Sequence, residues 1–380
     1  MAEKKKRRKN KIFRILVGLL EGMLALFLVL GLVGIYFYKS GEMALKASPA
    51  TQSPIIEVEM EEVQRIRAEY ETKAQKTLPW QENWVTYGDD VYEYNQECMN
   101  FIIMGIDRSG ELDKETKLSD WSAGQADAIF LLSLDNRNKK ISVIGIPRNS
   151  MVDVEIYNEQ EECIDTIYNQ ICLQYGYAGG GELGLQKMKD SVSGMLYDLP
   201  IHGACAVSYD AIGVVAERLG GIEVTLSEDM TELKKDYVVG SKVLLTKKNI
   251  IPYLRYRDNT KLGSPTTRLT RQKEFLRTAM AKTIQEIKKK PAIVSEIYQS
   301  IIPYMNTDIT LDKAVYLAAE ALDYSITDSS FYQLTGVDKQ VDFENAKKAE
   351  DFYDDYYLDE EKLKEMVMEV FYQPVVIEMD

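Results

Sequence analysis

The chain has 380 residues, of which 45% are hydrophobic and 28% charged, and its formal net charge at neutral pH is −14. Residues 1–40 hold nine basic and two acidic groups, so residues 41–380 together carry −21. A domain this acidic repels polyanions, which excludes nucleic acid as a partner bound through bulk charge.

A basic amino terminus precedes a long apolar segment. Residues 1–14 include eight lysines or arginines, and residues 15–38 are then apolar except for Glu21 and four glycines. Twenty-four such residues are long enough to cross a bilayer as a helix, and they lack the short core and cleavage site of a signal peptide. The positive-inside rule keeps the basic tail in the cytoplasm. We therefore predict a single-pass protein of the cell membrane, with everything after Lys39 outside the cell.

The stretch from residue 39 to residue 97 is predicted to be a linker and a helical stalk. Residues 41–55 contain several serines and prolines and are typical of a loose linker, whereas residues 57–76 form a highly charged helix with weak apolar periodicity. A compact domain is predicted from residue 98 to residue 380, which is long enough for one large core.

Hairpin and crossover patterns alternate within this domain. Residues 99–106 are a continuous apolar run typical of a buried strand, and residues 128–134 and 141–146 form two more strands around the turn residues Asp135 to Asn138. Further along the chain we predict helices at 182–197 and 210–219 and strands at 204–208 and 222–226. The combination predicts an α/β fold, a single globular domain with a central mixed sheet flanked by helices.

Four cysteines and one histidine limit the chemistry. Cys98, Cys163, Cys172 and Cys205 have no zinc-type spacing, and they either form two disulfides outside the cell or remain buried thiols. His202 lies in an apolar run without an evident acidic partner, so we predict a structural role for it. Catalytic triads that depend on histidine are therefore disfavoured.

Charged residues fall where the predicted strands begin and end. Asp107 follows the first strand, Asp127 opens the second and Arg148 follows the third, so neighbouring strands would bring them to one edge of the sheet. Two carboxylates there could hold Mg²⁺ or Mn²⁺. The alternative is that each aspartate only caps a turn.

Four of the fourteen arginines lie within seventeen residues, at Arg255, Arg257, Arg268 and Arg271. A planar guanidinium binds two phosphate oxygens at once, and the second pair opens a predicted helix whose first turn offers free N–H donors. The cluster is therefore interpreted as a phosphate clamp. The alternative is that these arginines pair with the surplus aspartates and glutamates of the chain.

Seven motifs in this order resemble the LytR-CpsA-Psr family of cell-envelope enzymes. They are GIDRS, QAD, IPRN, YGYAGGG, ERLGGIEV, YLRYRDN and RLTRQ. The resemblance implies a phosphotransferase that moves a glycopolymer, such as teichoic acid or capsule, from a polyprenyl-(pyro)phosphate carrier to peptidoglycan. It also implies a Gram-positive bacterium, a pyrophosphatase side activity and a lipid tunnel beside the sheet.

The resemblance also implies roles for single residues. Asp107 and Asp127 would bind the divalent metal. The catalytic residues that hold the pyrophosphate would be Arg148, Arg255, Arg257, Arg268 and Gln272. The further substrate-binding residues would be Arg108, Arg271 and Asp258.

Three positions depart from the family pattern by lacking a charge. They are Gln125, Asn149 and Pro265. A second hypothesis therefore stays open, in which the chain is a membrane-anchored module that binds lipid-linked polymer or regulates envelope assembly without turnover.

Overall fold

The computed structural model describes residues 31, 33–46, 53–54, 56, 60–74, 80–81, 83–112, 123–256, 264–341 and 353–375. The predicted cytoplasmic tail, most of the predicted membrane helix and the predicted site residues Arg257 and Asp258 lie outside them. None of the helices among the described residues has the length and apolar character needed to cross a membrane.

The strands are β1 (Trp84–Tyr87), β2 (Asp90–Tyr94), β3 (Cys98–Ile106), β4 (Ala126–Asp135), β5 (Lys140–Ile146), β6 (Met151–Tyr157), β7 (Cys163–Gln170), β8 (Gly203–Val207), β9 (Ile222–Thr225), β10 (Lys242–Leu245), β11 (Met305–Thr307), β12 (Phe331–Gln333), β13 (Gly336–Val341), β14 (Tyr353–Leu358) and β15 (Tyr372–Pro374). The helices are α1 (33–46), α2 (Met60–Ala74), α3 (Gln174–Tyr177), α4 (Gly181–Met195), α5 (Tyr209–Arg218), α6 (Ile250–Arg255), α7 (Ser264–Lys289), α8 (Ile293–Ile301), α9 (Leu311–Glu320) and α10 (Glu360–Phe371).

A six-stranded mixed sheet forms the centre of the domain, in the order β11-β8-β3-β4-β5-β12. The strands β3, β4 and β5 run antiparallel to one another, whereas β8 is parallel to β3 and β12 is parallel to β5. The turn between β4 and β5 is held by the Asp135 carboxylate, which accepts the N–H groups of Arg137 and Asn138 at 3.0 Å each. The predicted hairpin and the predicted mixed sheet are confirmed.

Helices cover both faces of this sheet, because alternate residues of its strands point to opposite sides. Ile102 and Met104 of β3 are buried in one cluster with apolar residues of α4 and α10. Phe101 lies in a second cluster with residues of α7 and α9. Each fully buried side chain of this kind contributes about 1.5–3 kcal/mol of transfer free energy, which explains why the predicted strands read as continuous apolar runs.

The predicted strand at residues 222–226 exists as β9, but it pairs with β10 in a separate two-stranded sheet. Gly220 and Gly221 have φ angles of 74° and 89°, which turn the chain away from α5 at this point. Ile222 and Val224 are buried with residues of α5 and α6 in a third cluster. This small unit flanks the central sheet and carries α6 to the edge described below.

The folded domain begins before the predicted boundary at residue 98. The strands β1 and β2 pair with each other and with β15 near the end of the chain. The helix α2 matches the charged helix predicted at residues 57–76, but it is not a free stalk, because Ile66 is buried in one cluster with Trp84 and Val91. An apolar face on a mostly charged helix was too weak a periodic signal to predict this packing.

The expected loose linker is also helical where the structure describes its first residues. Leu45 of α1 is 3% exposed and belongs to the core cluster of α7 and α9. The Ser40 hydroxyl donates to Asp312 at 2.7 Å, and an added Cβ on Gly41 would lie 2.2 Å from the Asp312 carbonyl oxygen. The end of α1 is thus packed tightly on α9.

Candidate functional site

Charged residues gather at the edge where β3, β5 and β8 end and β4 begins. Pairing of Gly105 with Val207 and of Ile129 with Ile146 aligns these strand ends. The structure therefore places Asp107, Asp127 and Arg148 at one edge of the sheet, as the sequence predicted.

Asp127 is the extra residue of a β-bulge. Gly105 pairs with Ala128 and Ile106 pairs with Ala126, so Asp127 has no partner in the ladder. A bulge bends its strand and redirects a side chain, and bulges are common beside active sites. The sequence QAD thus places a carboxylate, 12% exposed, inside the strand-end cluster.

Two arginines face the Asp127 carboxylate. Arg148 Nη1 lies 2.6 Å from Oδ1, and Arg268 Nη1 lies 3.5 Å from Oδ2. Arg268 is buried in the first turns of α7, next to Leu269, which packs on Gly145 of β5. Two guanidinium groups share this carboxylate, and with Asp107 at the same edge the charges balance. An anionic ligand would therefore meet guanidinium donors without a local excess of negative charge.

The Arg148 side chain is oriented by neutral neighbours. Its Nη2 donates to Gln125 Oε1 and, at 3.0 Å, to the Cys172 sulfur. Burial alone would lower the pKa of Arg148, but Cys172 and the carboxylates of Asp127 and Asp107 raise it above its ordinary value. The guanidinium therefore stays charged. Gln125, one of the three departures, supplies an acceptor for Arg148.

Asp107 packs closely against the backbone of a glycine, which in turn packs against a second glycine. The Gln125 N–H donates to Asp107 Oδ1 at 2.6 Å. Gly124 has a φ of 85°, and a Cβ there would lie 2.9 Å from Asp107 Oδ1. A Cβ on Gly176 would lie 2.7 Å from the Gly124 carbonyl oxygen. The start of the glycine-rich stretch YGYAGGG thus supports Asp107 through close backbone packing, a role that the sequence did not indicate.

Tyr209 completes the cluster and was missed in the sequence. It is the first residue of α5, directly after β8, and its ring centroid lies 5.0 Å from the Arg255 guanidinium. Burial and the Asp127 charge raise the pKa of Tyr209 to about 12. The available signal was an aromatic residue at the end of a predicted strand, which looks like an ordinary core position.

The remaining predicted site residues divide into three groups. Gln272 is buried on α7 one turn after Arg268, and Arg108 is half-buried with its carbonyl accepting the Tyr209 N–H at 3.1 Å. Arg271 is 2% exposed and is paired with Glu228, as the alternative interpretation of the arginine cluster expected. Arg257 and Asp258 lie outside the described residues.

The structural interpretation of His202 is supported by its contacts. Its Nδ1 accepts the Asn100 N–H at 3.0 Å, and burial lowers its pKa to about 4. The four cysteines are free, and the Cys172 sulfur accepts a hydrogen bond from the site residue Arg148.

A divalent cation would find two carboxylates at this edge. Nowhere among the described residues, this edge included, are three or more His, Cys, Asp or Glu side chains placed to bind a metal. Mg²⁺ commonly uses one or two carboxylates and completes its shell with water and phosphate oxygens. Asp107 and Asp127 match that number of carboxylates, and each also has a partner in the protein, the Gln125 N–H for Asp107 and two arginines for Asp127.

Comparisons with known proteins find one family and relatives that are named as transferases. The model of the family described as LytR_cpsA_psr matches residues 60–369. The polyisoprenyl-teichoic acid–peptidoglycan teichoic acid transferase TagV of Bacillus subtilis is 25% identical over 219 residues, which cover 55% of this chain and 51% of TagV. The match thus spans about half the length of that relative.

Solved structures share the fold. A crystal structure of a Streptococcus agalactiae protein has a TM-score of 0.54 and 18% identity, and the match covers 72% of this chain and 87% of that one. The structure of TagT bound to LI-WTA has a TM-score of 0.51 and 21% identity, and the match covers 72% of this chain and 89% of TagT.

Proposed function

The chain belongs to the LytR_cpsA_psr family, and on this basis we propose that it is an extracytoplasmic phosphotransferase acting on a lipid-linked glycopolymer. The polymer, of teichoic acid or capsule type, would move from a polyprenyl-(pyro)phosphate carrier to a hydroxyl of peptidoglycan. The name of the TagV relative supports this substrate class. The observation that carries the proposal is the pair of arginines, Arg148 and Arg268, against the single carboxylate of Asp127.

The reaction needs charge neutralisation more than covalent chemistry from the protein. The acceptor oxygen bonds to the phosphorus next to the polymer, the bond from that phosphorus to the polyprenyl phosphate breaks, polyprenyl phosphate leaves, and the hydroxyl proton passes to water. Arg148 and Arg268 would hold the phosphate oxygens, and Arg255 would close the site from α6. Asp107 and Asp127 would hold Mg²⁺ or Mn²⁺, which supplies further neutralisation of the phosphate charge.

The location rests on the amino-terminal sequence. Residues 15–38 are the proposed membrane anchor, and the acidic remainder would lie outside the cell of a Gram-positive bacterium. A membrane-embedded carrier would then be within reach of the domain. Pyrophosphatase activity on short prenyl pyrophosphates would be a side reaction in which water replaces the peptidoglycan hydroxyl.

The test is product release from a short-chain prenyl pyrophosphate by the full chain in detergent, with Mg²⁺ or Mn²⁺. Replacing Arg268 or Arg255 by alanine removes donors from the transition state, and we expect each to lower the rate by about 10²–10³-fold. Arg277→Ala is the matched control, since Arg277 lies on α7 but pairs at the surface with Asp328.

Unchanged rates in both site variants would refute the clamp. A wild-type chain that releases no product but retains prenyl lipid would support the non-catalytic module instead. Chelation by EDTA separates the contributions, because loss of the cation should abolish release while Arg268 remains in place.

A further inference from the structure

A buried hydroxyl in the site has no hydrogen-bond partner. Tyr209 is 9% exposed, and its Oη is enclosed without a donor or acceptor partner among the described residues. Buried hydroxyls normally find a partner, as Tyr372 shows at 7% exposure by donating to the Pro54 carbonyl at 3.2 Å. The exception at Tyr209 calls for a ligand that supplies the missing acceptor.

The surroundings of this hydroxyl indicate which ligand would supply it. The charges of two carboxylates and two guanidinium groups act on the Tyr209 hydroxyl, which places it inside the strand-end cluster; they belong to Asp127, Arg255, Asp107 and Arg268. Two neighbouring donors are in the same state, since Arg148 Nε and Ser208 Oγ are buried without hydrogen-bond partners in the part of the chain that the structure describes. The acceptor Asp127 Oδ1 also lacks a hydrogen bond, but it lies 2.6 Å from Arg148 Nη1 in an ion pair. An anion with several oxygens would complement the donors that remain.

We propose that the Tyr209 hydroxyl donates a hydrogen bond to a phosphate oxygen of the bound diphosphate, as a further substrate-binding residue of this site. The proposal rests on the proposed function and names a donor that the arginine motifs do not include. The Tyr209 N–H donates to the Arg108 carbonyl at 3.1 Å, which fixes the backbone at the start of α5. Arg255 is exposed and lies over the ring, so its long side chain can follow the anion while the ring stays in place.

The hydroxyl is suited to donate and not to act as a base. Because burial and Asp127 raise its pKa, Tyr209 keeps its proton at neutral pH. A protonated phenol among arginines offers a short, charge-assisted hydrogen bond to a phosphate oxygen.

Tyr209→Phe isolates this hydrogen bond, because the ring and its contact with Arg255 remain. With the full chain in detergent and inorganic pyrophosphate plus Mg²⁺ as the probe, we expect calorimetric affinity to fall by about tenfold to a hundredfold. The melting temperature without pyrophosphate should stay equal or rise, since the variant loses a buried hydroxyl that had no partner.

Tyr372→Phe is the matched control. It makes the same substitution at similar burial, but it removes a hydroxyl that bonds the Pro54 carbonyl far from the site. We expect a lower melting temperature and an unchanged affinity for pyrophosphate. Tyr209→Phe should therefore lower the affinity alone and Tyr372→Phe the melting temperature alone. A general packing defect would not separate the two properties in this way.

The outcomes separate the inference from its premise. Affinity that is lost in Arg268→Ala but kept in Tyr209→Phe would overturn the role of Tyr209 alone. A melting temperature of Tyr209→Phe lowered as in the control would show that the hydroxyl already has a partner, and would also overturn it. A wild-type chain that binds no pyrophosphate would overturn the inference and the arginine clamp together.

Discussion

Two arginines three residues apart on α7 have different surroundings. Arg268 faces Asp127, which Arg148 also faces, in a cluster whose Arg148 side chain is 19% exposed. Arg271 is closed in, with Nη1 on Glu228, Nη2 on the Tyr256 carbonyl and its guanidinium 5.8 Å and 5.6 Å from the rings of Tyr253 and Tyr256. In the first, open cluster two guanidinium groups share the one residue Asp127, since Arg268 Nη1 faces its carboxylate and Arg268 Nη2 donates to its carbonyl at 3.4 Å. In the second, closed cluster one guanidinium has the Glu228 carboxylate and the Tyr256 carbonyl to itself.

The difference shows that a run of arginines does not define a binding site by itself. What decides the role is the number of acceptors that the fold already supplies around each guanidinium. The closed cluster joins α7 to α6 and to the segment after β9, so it positions Arg255 from a distance. The open cluster has one Asp127 carboxylate for two guanidinium groups, so an added anion would meet two positive charges there.

The largest expected effect on stability comes from opening the closed cluster. Arg271→Leu leaves Glu228 without its partner and removes the bridge to α6, and we expect the free energy of unfolding to fall by about 3 kcal/mol. Glu228 is 25% exposed and can regain water, which keeps the loss at the lower end for such pairs. Urea denaturation measures it.

The same experiment on Arg268→Ala sharpens the comparison. That variant should lose activity while losing less stability than Arg271→Leu, because Asp127 keeps Arg148 as its partner. If Arg271→Leu were as stable as the wild type, the division into an open and a closed cluster would be wrong.

A smaller effect is expected at the glycine behind Asp107. Gly124→Ala places a Cβ 2.7 Å from Ile106 Cγ2 and 2.9 Å from Asp107 Oδ1 at a φ of 85°. We expect a loss of about 2 kcal/mol in unfolding free energy and a reduced rate of prenyl pyrophosphate turnover, since Asp107 must shift.

Gly110→Ala is the matched control for that variant. Gly110 has a φ of 87°, but a Cβ there meets no atom within 4 Å. It should pay the backbone strain alone, at about 1 kcal/mol. Equal stability and equal activity of the two variants would mean that the contact between residue 124 and Asp107 affects neither stability nor turnover.

The sequence predicts the parts of this molecule that local patterns encode. The hairpin of β4 and β5 and the helices α4 and α5 lie within a few residues of their predicted bounds, because apolar runs and turn residues are local signals. The pairing of β2 with β15 is not predictable in this way, since the partners are separated by most of the chain.

The site was predictable to the same extent. Strand ends gave the positions of Asp107, Asp127 and Arg148. The pairing of Arg271 with Glu228, the orientation of Arg148 by Gln125 and the place of Tyr209 depend on contacts between elements distant in sequence. Residue type alone does not distinguish a buried donor with a partner from one without.

The smallest effect concerns His202, a half-buried side chain that is kept neutral at the opposite end of the strands that carry the site. Burial lowers the pKa of His202 to about 4, below its ordinary value, and its Nδ1 accepts the Asn100 N–H. The unfolded chain therefore binds the proton first on acidification. Stability should be fully present above about pH 6.5 and fall as the pH drops toward 4, by roughly 1–2 kcal/mol between pH 7 and pH 5.

His202→Gln removes the titrating group while leaving an acceptor near the Asn100 N–H. Other groups titrate in this range, so the test is the difference between the two chains in chemical denaturation at pH 7 and pH 5. The variant should lose less stability on acidification than the wild type. Equal losses of stability in the two chains would mean that the His202 ring is already protonated or hydrated in the folded protein. Both ends of these strands would then accommodate charged side chains.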